Sequence, residues 1–349
     1  MKEKNPTIEI WRFVASIMIL MCHLYYVGVE EDYPFSLTFI FVEFFFILTG
    51  YFSYVHISKD MDGIGSLKNK VTYALRYVIN KFRKILPMTV VAILINYIIE
   101  YAYRRNEDGV TLFRFWQQLP FDILEVSDLY TEPRVVPLWY LSVELFILPL
   151  ICLIILQKKY IRIIISILVP LTCYLVFGVN NLRNFPYDYL RGLSAMLLGV
   201  LIGEVTEILK KKIFESKHKL KISLIFYSFG NILMMATVFF SFYDLNIMAL
   251  SLANFVVGLT LIISADVVST QKIKRSAAYL GSLSVPIFIF QWVVGTGVLC
   301  LDRVVGYFYS PGLSVLWRSI IYIAVTILIA MGINHIRTVR LKRKAKMNI

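Results

Sequence analysis

Cysteine is scarce in this chain and never paired. Cys22, Cys152, Cys173 and Cys300 each stand alone inside an apolar segment, and none has CxxC spacing. Neither a disulfide framework nor a zinc site is expected from such spacing, and no metal is expected to be bound. Isolated thiols in apolar runs read as packing residues. GxSxG, HExxH, Walker and GxGxxG patterns are missing too, which leaves serine-hydrolase, zincin and nucleotide-binding chemistries unsupported. The sequence shows no internal repeat, low-complexity tract or appended soluble domain. Residues 1–349 therefore read as a single membrane-embedded domain ending in a basic tail at 337–349.

What the chain has in abundance is apolar sequence: 58% of residues are hydrophobic, 15% are aromatic, and mean hydropathy is +0.69. No ordinary soluble core needs that much. Apolar runs near twenty residues, broken by charged clusters, indicate an all-α polytopic integral membrane bundle. Ten spans are expected, at roughly 8–28, 36–56, 86–103, 138–156, 162–179, 190–207, 222–242, 246–264, 279–300 and 314–336. An interfacial amphipathic helix is expected at 66–84, its cations toward anionic lipid headgroups. The net charge of +13 sits in alternate loops: 57–85, 157–162, 208–221, 265–278 and the tail. Acidic Glu30, Glu31, Asp32, Asp188, Asp244 and Asp302 fall in the others. The positive-inside rule then puts both termini in the cytoplasm. A nucleic-acid partner is not expected, because the cations are distributed among loops and do not cover one face of a folded domain. Lys2 and Lys4 before an apolar run mimic a signal peptide. The run is long, carries Arg12 and lacks a small-residue cleavage site, so it reads as a retained first helix. Residues 104–137 form the one sizeable outer loop, and Trp116, Pro120, Pro133 and Pro137 favour an ordered cap there.

Several of these spans carry groups that lipid does not tolerate. The first, IEIWRFVASIMILMCHLYYVG, contains Glu9, Arg12 and His23. A charge near mid-helix costs roughly 2.5–3.5 kcal/mol on insertion scales, so such groups are expected to face protein or water. Arg12 and His23 are eleven residues apart; on a regular helix that is about three turns, within about 20° of one face and about 16 Å along the axis. In the second span Glu43, Phe46 and Gly50 share a face, and Gly50 permits close approach by a helix or ligand. Arg83 and Lys84 precede Pro87, which suits the first turn of the third span, and they can anchor the membrane surface or clamp phosphates. In the fourth span Trp139 and Ser142 are one turn apart, while Glu144 lies about 200° from Ser142. Arg191 opens the sixth span above Gly192, Gly199 and Gly203. Gly281, Ser284 and Gln291 make a polar stripe on the ninth. His56, His218 and His335 lie near span ends or in a basic loop and read as surface residues.

The Arg12-x10-His23 pair with Glu9 resembles the signature of the membrane-bound acyltransferase-3 family. So do VEFFFILTGYF at 42–52, FRKILP at 82–87, WYLSVE at 139–144, RGLSAMLLG at 191–199 and LGSLSVPIFIFQ at 280–291. The motifs occur in the family's order and span nearly the whole chain. The resemblance implies about ten transmembrane helices in a cell membrane, of bacterial cytoplasmic type. It also implies transfer of an acyl group, often acetyl from acetyl-CoA, to a hydroxyl of an extracytoplasmic or lipid-linked glycan. Two departures stand out. Many members have histidine at Gln291 and tyrosine at Val285 or Pro286. Some also carry a C-terminal esterase-like domain that is not expected here, so a separate partner protein could handle the acceptor.

Under that resemblance the residues take provisional roles. Arg12, Arg83 and Lys84 would hold the phosphates of acyl-CoA, the co-substrate; no tightly bound cofactor is expected. His23 would serve as general base or acyl carrier, with Glu43 or Glu144 orienting it. Trp139, Ser142, Arg191 and Gln291 would bind the acceptor or a developing oxyanion, while Glu9 and Gly50 would orient and pack. A transporter or flippase for a lipid-linked or small polar substrate is the rival reading, since it too needs polar groups on several spans. Matching broken helices in two halves, which would favour it, are not evident.

Overall fold

The computed structural model describes residues 5–30, 33–60, 66–104, 112–129, 133–181, 187–242, 248–265, 267, 269–308 and 313–347. The outer-loop acids Glu31, Asp32 and Asp244 and the N-terminal Lys2 and Lys4 lie outside the described residues. Among the described residues there are α-helices and short 3-10 turns, and no strand. Among the described residues nine helical segments are long and apolar enough to cross a membrane, and Ala249–Ser264 is a shorter apolar helix at the eighth expected position. The chain is an all-α, polytopic, multi-pass membrane protein.

Two compact units are formed from interleaved stretches of chain. The first comprises 1–8, 37–84 and 140–274. It contains α2 (Phe41–Ile57), the start of α3 (Leu67–Arg104), α6 (Trp139–Ile155), α7 (Lys159–Asn181), α8 (Tyr187–Glu215), α9 (Lys219–Phe240) and α10 (Met248–Ser264). Its central crossing is α2 on α8. A Cβ added at Gly50 would run into the Met196 carbonyl, and one added at Gly199 would run into the Ile47 carbonyl. The two backbones touch because both residues lack a side chain, which is how membrane helices gain packing without a hydrophobic drive between them. Phe41 and Phe44 close the α2 surface against Phe255 of α10, at 5.3 and 5.7 Å between ring centroids. Arg162, buried and paired with Glu204, donates through Nη1 to Ile155 O at 2.8 Å and to Gln157 O at 3.2 Å. It thereby satisfies carbonyls that the end of α6 leaves open.

The second unit comprises 9–36, 85–139 and 275–349. It contains most of α1 (Pro6–Cys22), the second half of α3, the short helices α4 (Leu112–Gln117) and α5 (Leu119–Ile123), most of α11 (Gln271–Phe308) and α12 (Val315–Met347). Leu20, Leu24, Leu283, Ile287, Val294 and Tyr322 belong to one apolar core joining α1, α11 and α12, while Ala92 of α3 packs with Ile289, Phe290 and Val293. The segment carrying α4 and α5 folds onto α3. Tyr97 OH donates to buried Asp122 at 2.6 Å, Arg134 pairs with Glu100 at 3.0 Å, and Trp116 lies 5.5 Å from the Tyr97 ring. Burial raises the pKa of the Asp122 carboxyl above its ordinary value, and the hydrogen bonds it accepts oppose that shift.

Three elements differ from the sequence expectation. The interfacial helix and the third span are one helix of 38 residues with Pro87 inside it, not at its first turn. Proline removes its own bond to the carbonyl four residues back, here that of Arg83, and crowds that carbonyl, but a membrane helix tolerates this because neighbouring groups and local adjustment re-satisfy the freed backbone. At about 1.5 Å per residue it is about 57 Å long, well beyond a hydrocarbon layer of about 30 Å. Secondly, α12 continues through the basic tail to Met347. Thirdly, the first span is not uniformly α-helical. It tightens to a 3-10 turn at His23–Val27, which Gly28 ends in the left-handed conformation at φ +93°.

Candidate functional site

In the second unit α1 and α11 run in the same sense with their polar positions in step. Near the start of the pair, Glu9 is buried and takes Arg12 Nη1 on both carboxylate oxygens, at 3.0 and 3.1 Å. Gly281 of α11 makes room for it, since a Cβ there would collide with the Glu9 carboxylate. Eleven residues beyond Arg12, His23 is the first residue past the α-helical part of the span. Its Nδ1 lies 2.8 Å from Ile19 O, one turn back. A carbonyl only accepts, so Nδ1 carries the hydrogen and Nε2 of the neutral ring carries the free lone pair.

On the α11 side, Gln291 faces this imidazole and is wholly buried. Trp292 presents an edge to it, at 6.0 Å between centroids and 89°, and Tyr25 lies 6.0 Å away on the same turn. Trp292 in turn stacks on Tyr26, at 3.9 Å and 20°. From Tyr26 a line of polar contacts runs to the segment that follows α5. Tyr26 OH is 3.1 Å from Thr296 Oγ1, which lies 2.8 Å from Asn96 Oδ1. Asn96 Nδ2 donates to Glu100 at 3.3 Å and to Arg134 O at 3.4 Å. Ser284 does not join this line; its hydroxyl turns back to Gly281 O at 2.7 Å. Trp139 also belongs to this unit and is half-buried at the start of α6, just after a 3-10 turn at Val136–Leu138.

The first unit holds the remaining candidates, and two carboxylates there already have cations. Glu43 and Arg191 form a bidentate pair, Nε–Oε1 2.5 Å and Nη2–Oε2 2.7 Å, with side chains 0% and 4% exposed. Glu144 Oε1 accepts from Lys81 Nζ at 2.5 Å and from Thr49 Oγ1 at 2.7 Å. Ser142 is buried, its hydroxyl 3.3 Å from Tyr189 OH. The three neighbours of α6 at 142 and 144 thus lie on α8, α2 and α3, as a separation of about 200° requires. Gly50 lies in the α2–α8 crossing, and Arg83 and Lys84 are exposed on α3.

Sequence reasoning did not single out Lys81, Asn96, Thr296, Tyr26 or Trp292. Lys81 was hidden in a cluster of surface cations. Asn96 was a usable signal, being an amide with nothing to satisfy it in an apolar span. Among the described residues no group of three or more His, Cys, Asp or Glu side chains is placed to hold a metal ion.

A family model described as an acyltransferase domain matches residues 5–335. No curated protein and no solved structure gives a match.

Proposed function

This chain belongs to the acyltransferase-3 family, and from that premise we propose that it is an O-acyltransferase using His23 as its base. The donor is cytoplasmic acyl-CoA, acetyl-CoA in the simplest case, and the acceptor is a hydroxyl of an extracytoplasmic or lipid-linked glycan. The observation that carries this reading is the bond from His23 Nδ1 to Ile19 O, which leaves Nε2 as a lone pair inside the second unit. A hydroxyl is a poor nucleophile until a base accepts its proton, and imidazole has the intrinsic basicity for that near neutral pH. The acceptor O–H bond breaks as N–H forms on Nε2. The oxygen attacks the thioester carbonyl, the C–S bond breaks, and the imidazolium returns the proton to the departing sulfur. The products are the acyl ester and free CoA, with charge and protons balanced. An acyl group carried on Nε2 would draw on the same lone pair.

Arg12 supports donor binding. On the positive-inside reading it lies toward the cytoplasmic face, where CoA is made. Glu9 occupies only Nη1, and a guanidinium has five N–H donors, so the pair aims the group and leaves donors for a phosphate. A transporter or flippase gains no specific observation from this arrangement.

The test is incorporation of labelled acetyl from acetyl-CoA into membrane glycan. His23→Ala should abolish incorporation while abundance and melting temperature in detergent stay near wild type. Full incorporation by that variant would remove His23 from the chemistry.

A further inference from the structure

Two backbone carbonyls, each about one turn back, fix the hydrogen-bonding sense of His23 and Gln291. Ile19 O commits His23 Nδ1 as a donor. Phe288 O accepts from Gln291 Nε2 at 3.1 Å. Flipping that amide would set two oxygens against each other, so its Oε1 is held on the other side. Gln291 is 0% exposed, and Oε1 has no hydrogen-bond partner. The side chain within hydrogen-bonding reach of Gln291 is the imidazole, and that bond exists only when the facing ring nitrogen carries a hydrogen. With Nδ1 already taken, the nitrogen left for Gln291 is Nε2. Two acceptors therefore confront each other with no hydrogen between them, and a buried amide oxygen without a donor is costly. The arrangement is incomplete until a donor enters it.

We infer that Gln291 is a positioning residue for His23, accepting the Nε2–H that forms when the imidazole takes the proton of the acceptor hydroxyl. This rests on His23 being the base. The entering O–H supplies the missing hydrogen to Nε2. As the O–H bond breaks, the new N–H is shared with Oε1, which holds the imidazolium in place until the proton passes to the thiolate sulfur. The aromatic groups around the ring, Trp292 on α11 and Tyr25 on its own turn, bring no charge at neutral pH. The amide dipole is thus the group on α11 aimed at the cation as it forms. Side chains that accept at this position should preserve the function, and apolar ones should not.

The experiment compares pH–rate profiles of purified wild type, Gln291→Leu and Gln291→Glu with acetyl-CoA. Gln291→Leu should lower kcat by about 10- to 100-fold, the range for losing a hydrogen bond to a charged group. It should leave KM for acetyl-CoA within about twofold and move the acidic limb to lower pH. Gln291→Glu should move that limb to higher pH, because a carboxylate favours the imidazolium. A merely structural residue would lower activity in both variants without moving the limb in opposite directions. As a second readout, ring nitrogens are labelled in a chain whose His56, His218 and His335 are replaced by glutamine. NMR should then report the Nδ1–H tautomer of His23 in the resting protein. An unmoved limb in both variants, or an Nε2–H tautomer, would overturn the role of Gln291. The base reading itself fails separately, if His23→Ala stays active.

Discussion

Glu43→Ala should destabilise the first unit more than Arg191→Ala does, and the double variant should cost less than the two together. Arg191 is 4% exposed and donates twice to Glu43, at 2.5 and 2.7 Å. Two unit charges about 4 Å apart attract by about 4 kcal/mol at an effective dielectric near 20. Removing one partner of a buried pair typically costs about 3–5 kcal/mol, because the other is left uncompensated. The two halves of this pair are not equivalent. A stranded carboxylate can take a proton, whereas a stranded guanidinium cannot lose one. Arg191 keeps partial relief from the Phe39 carbonyl at 3.4 Å, from the Phe39 ring 5.8 Å from the guanidinium carbon, and from the charge of buried Asp188 on the same helix. We therefore expect about 4 kcal/mol for Glu43→Ala and about 2–3 for Arg191→Ala. The coupling should be at least about 2 kcal/mol, four times the scatter of independent sites. Unfolding in mixed detergent micelles, titrated with SDS and followed by far-UV circular dichroism of the helices, measures all three corners. Additivity within about 0.5 kcal/mol, or a larger loss from Arg191→Ala, would refute the argument. A strong coupling would also explain why loss of activity in a Glu43 variant need not mean that Glu43 takes part in the chemistry.

Arg12→Ala should raise KM for acyl-CoA and leave kcat largely intact, because a phosphate clamp acts equally on ground and transition states; initial rates at varied donor concentration test it, and an unchanged KM counts against the clamp. Gly50→Ala should lower stability by about 1–3 kcal/mol through overlap with the Met196 carbonyl. Gly297→Ala on α11, where an added Cβ meets nothing within 4 Å, should be neutral or stabilising by up to about 1 kcal/mol; equal melting temperatures for the two variants would contradict the packing described for α2 and α8. At Asp122 the raised pKa means the folded chain holds the proton more tightly than the unfolded chain. Its stabilising contribution is complete below the ordinary value of 3.8 and is lost as pH climbs through the raised one. Proteolysis of the segment carrying α4 and α5 should therefore quicken with pH over that window, and Asp122→Asn, which keeps an acceptor for Tyr97, should flatten the trend.

The positions of the crossings, the alternation of basic loops and the Arg12–His23 spacing were all legible in the linear chain. Each is local: a window of about twenty apolar residues announces a span by itself, and charge and spacing are read without reference to any other segment. Continuity across Pro87 was not legible, because a proline's cost is judged against helix on both sides of it. Nor could the linear chain say which cation meets which acid. Glu43 met Arg191 across 148 positions, and Glu144 met Lys81 across 63, a lysine that looked like one surface charge among many. The same holds for the imidazole. Its tautomer depends on Ile19, four residues away, and could in principle have been guessed from helical periodicity. Its other neighbour, Gln291, comes from the far end of the chain. Pairings of that kind are chosen by which helix faces which, because a group with no water to bind must take its partner from whatever packing brings within reach.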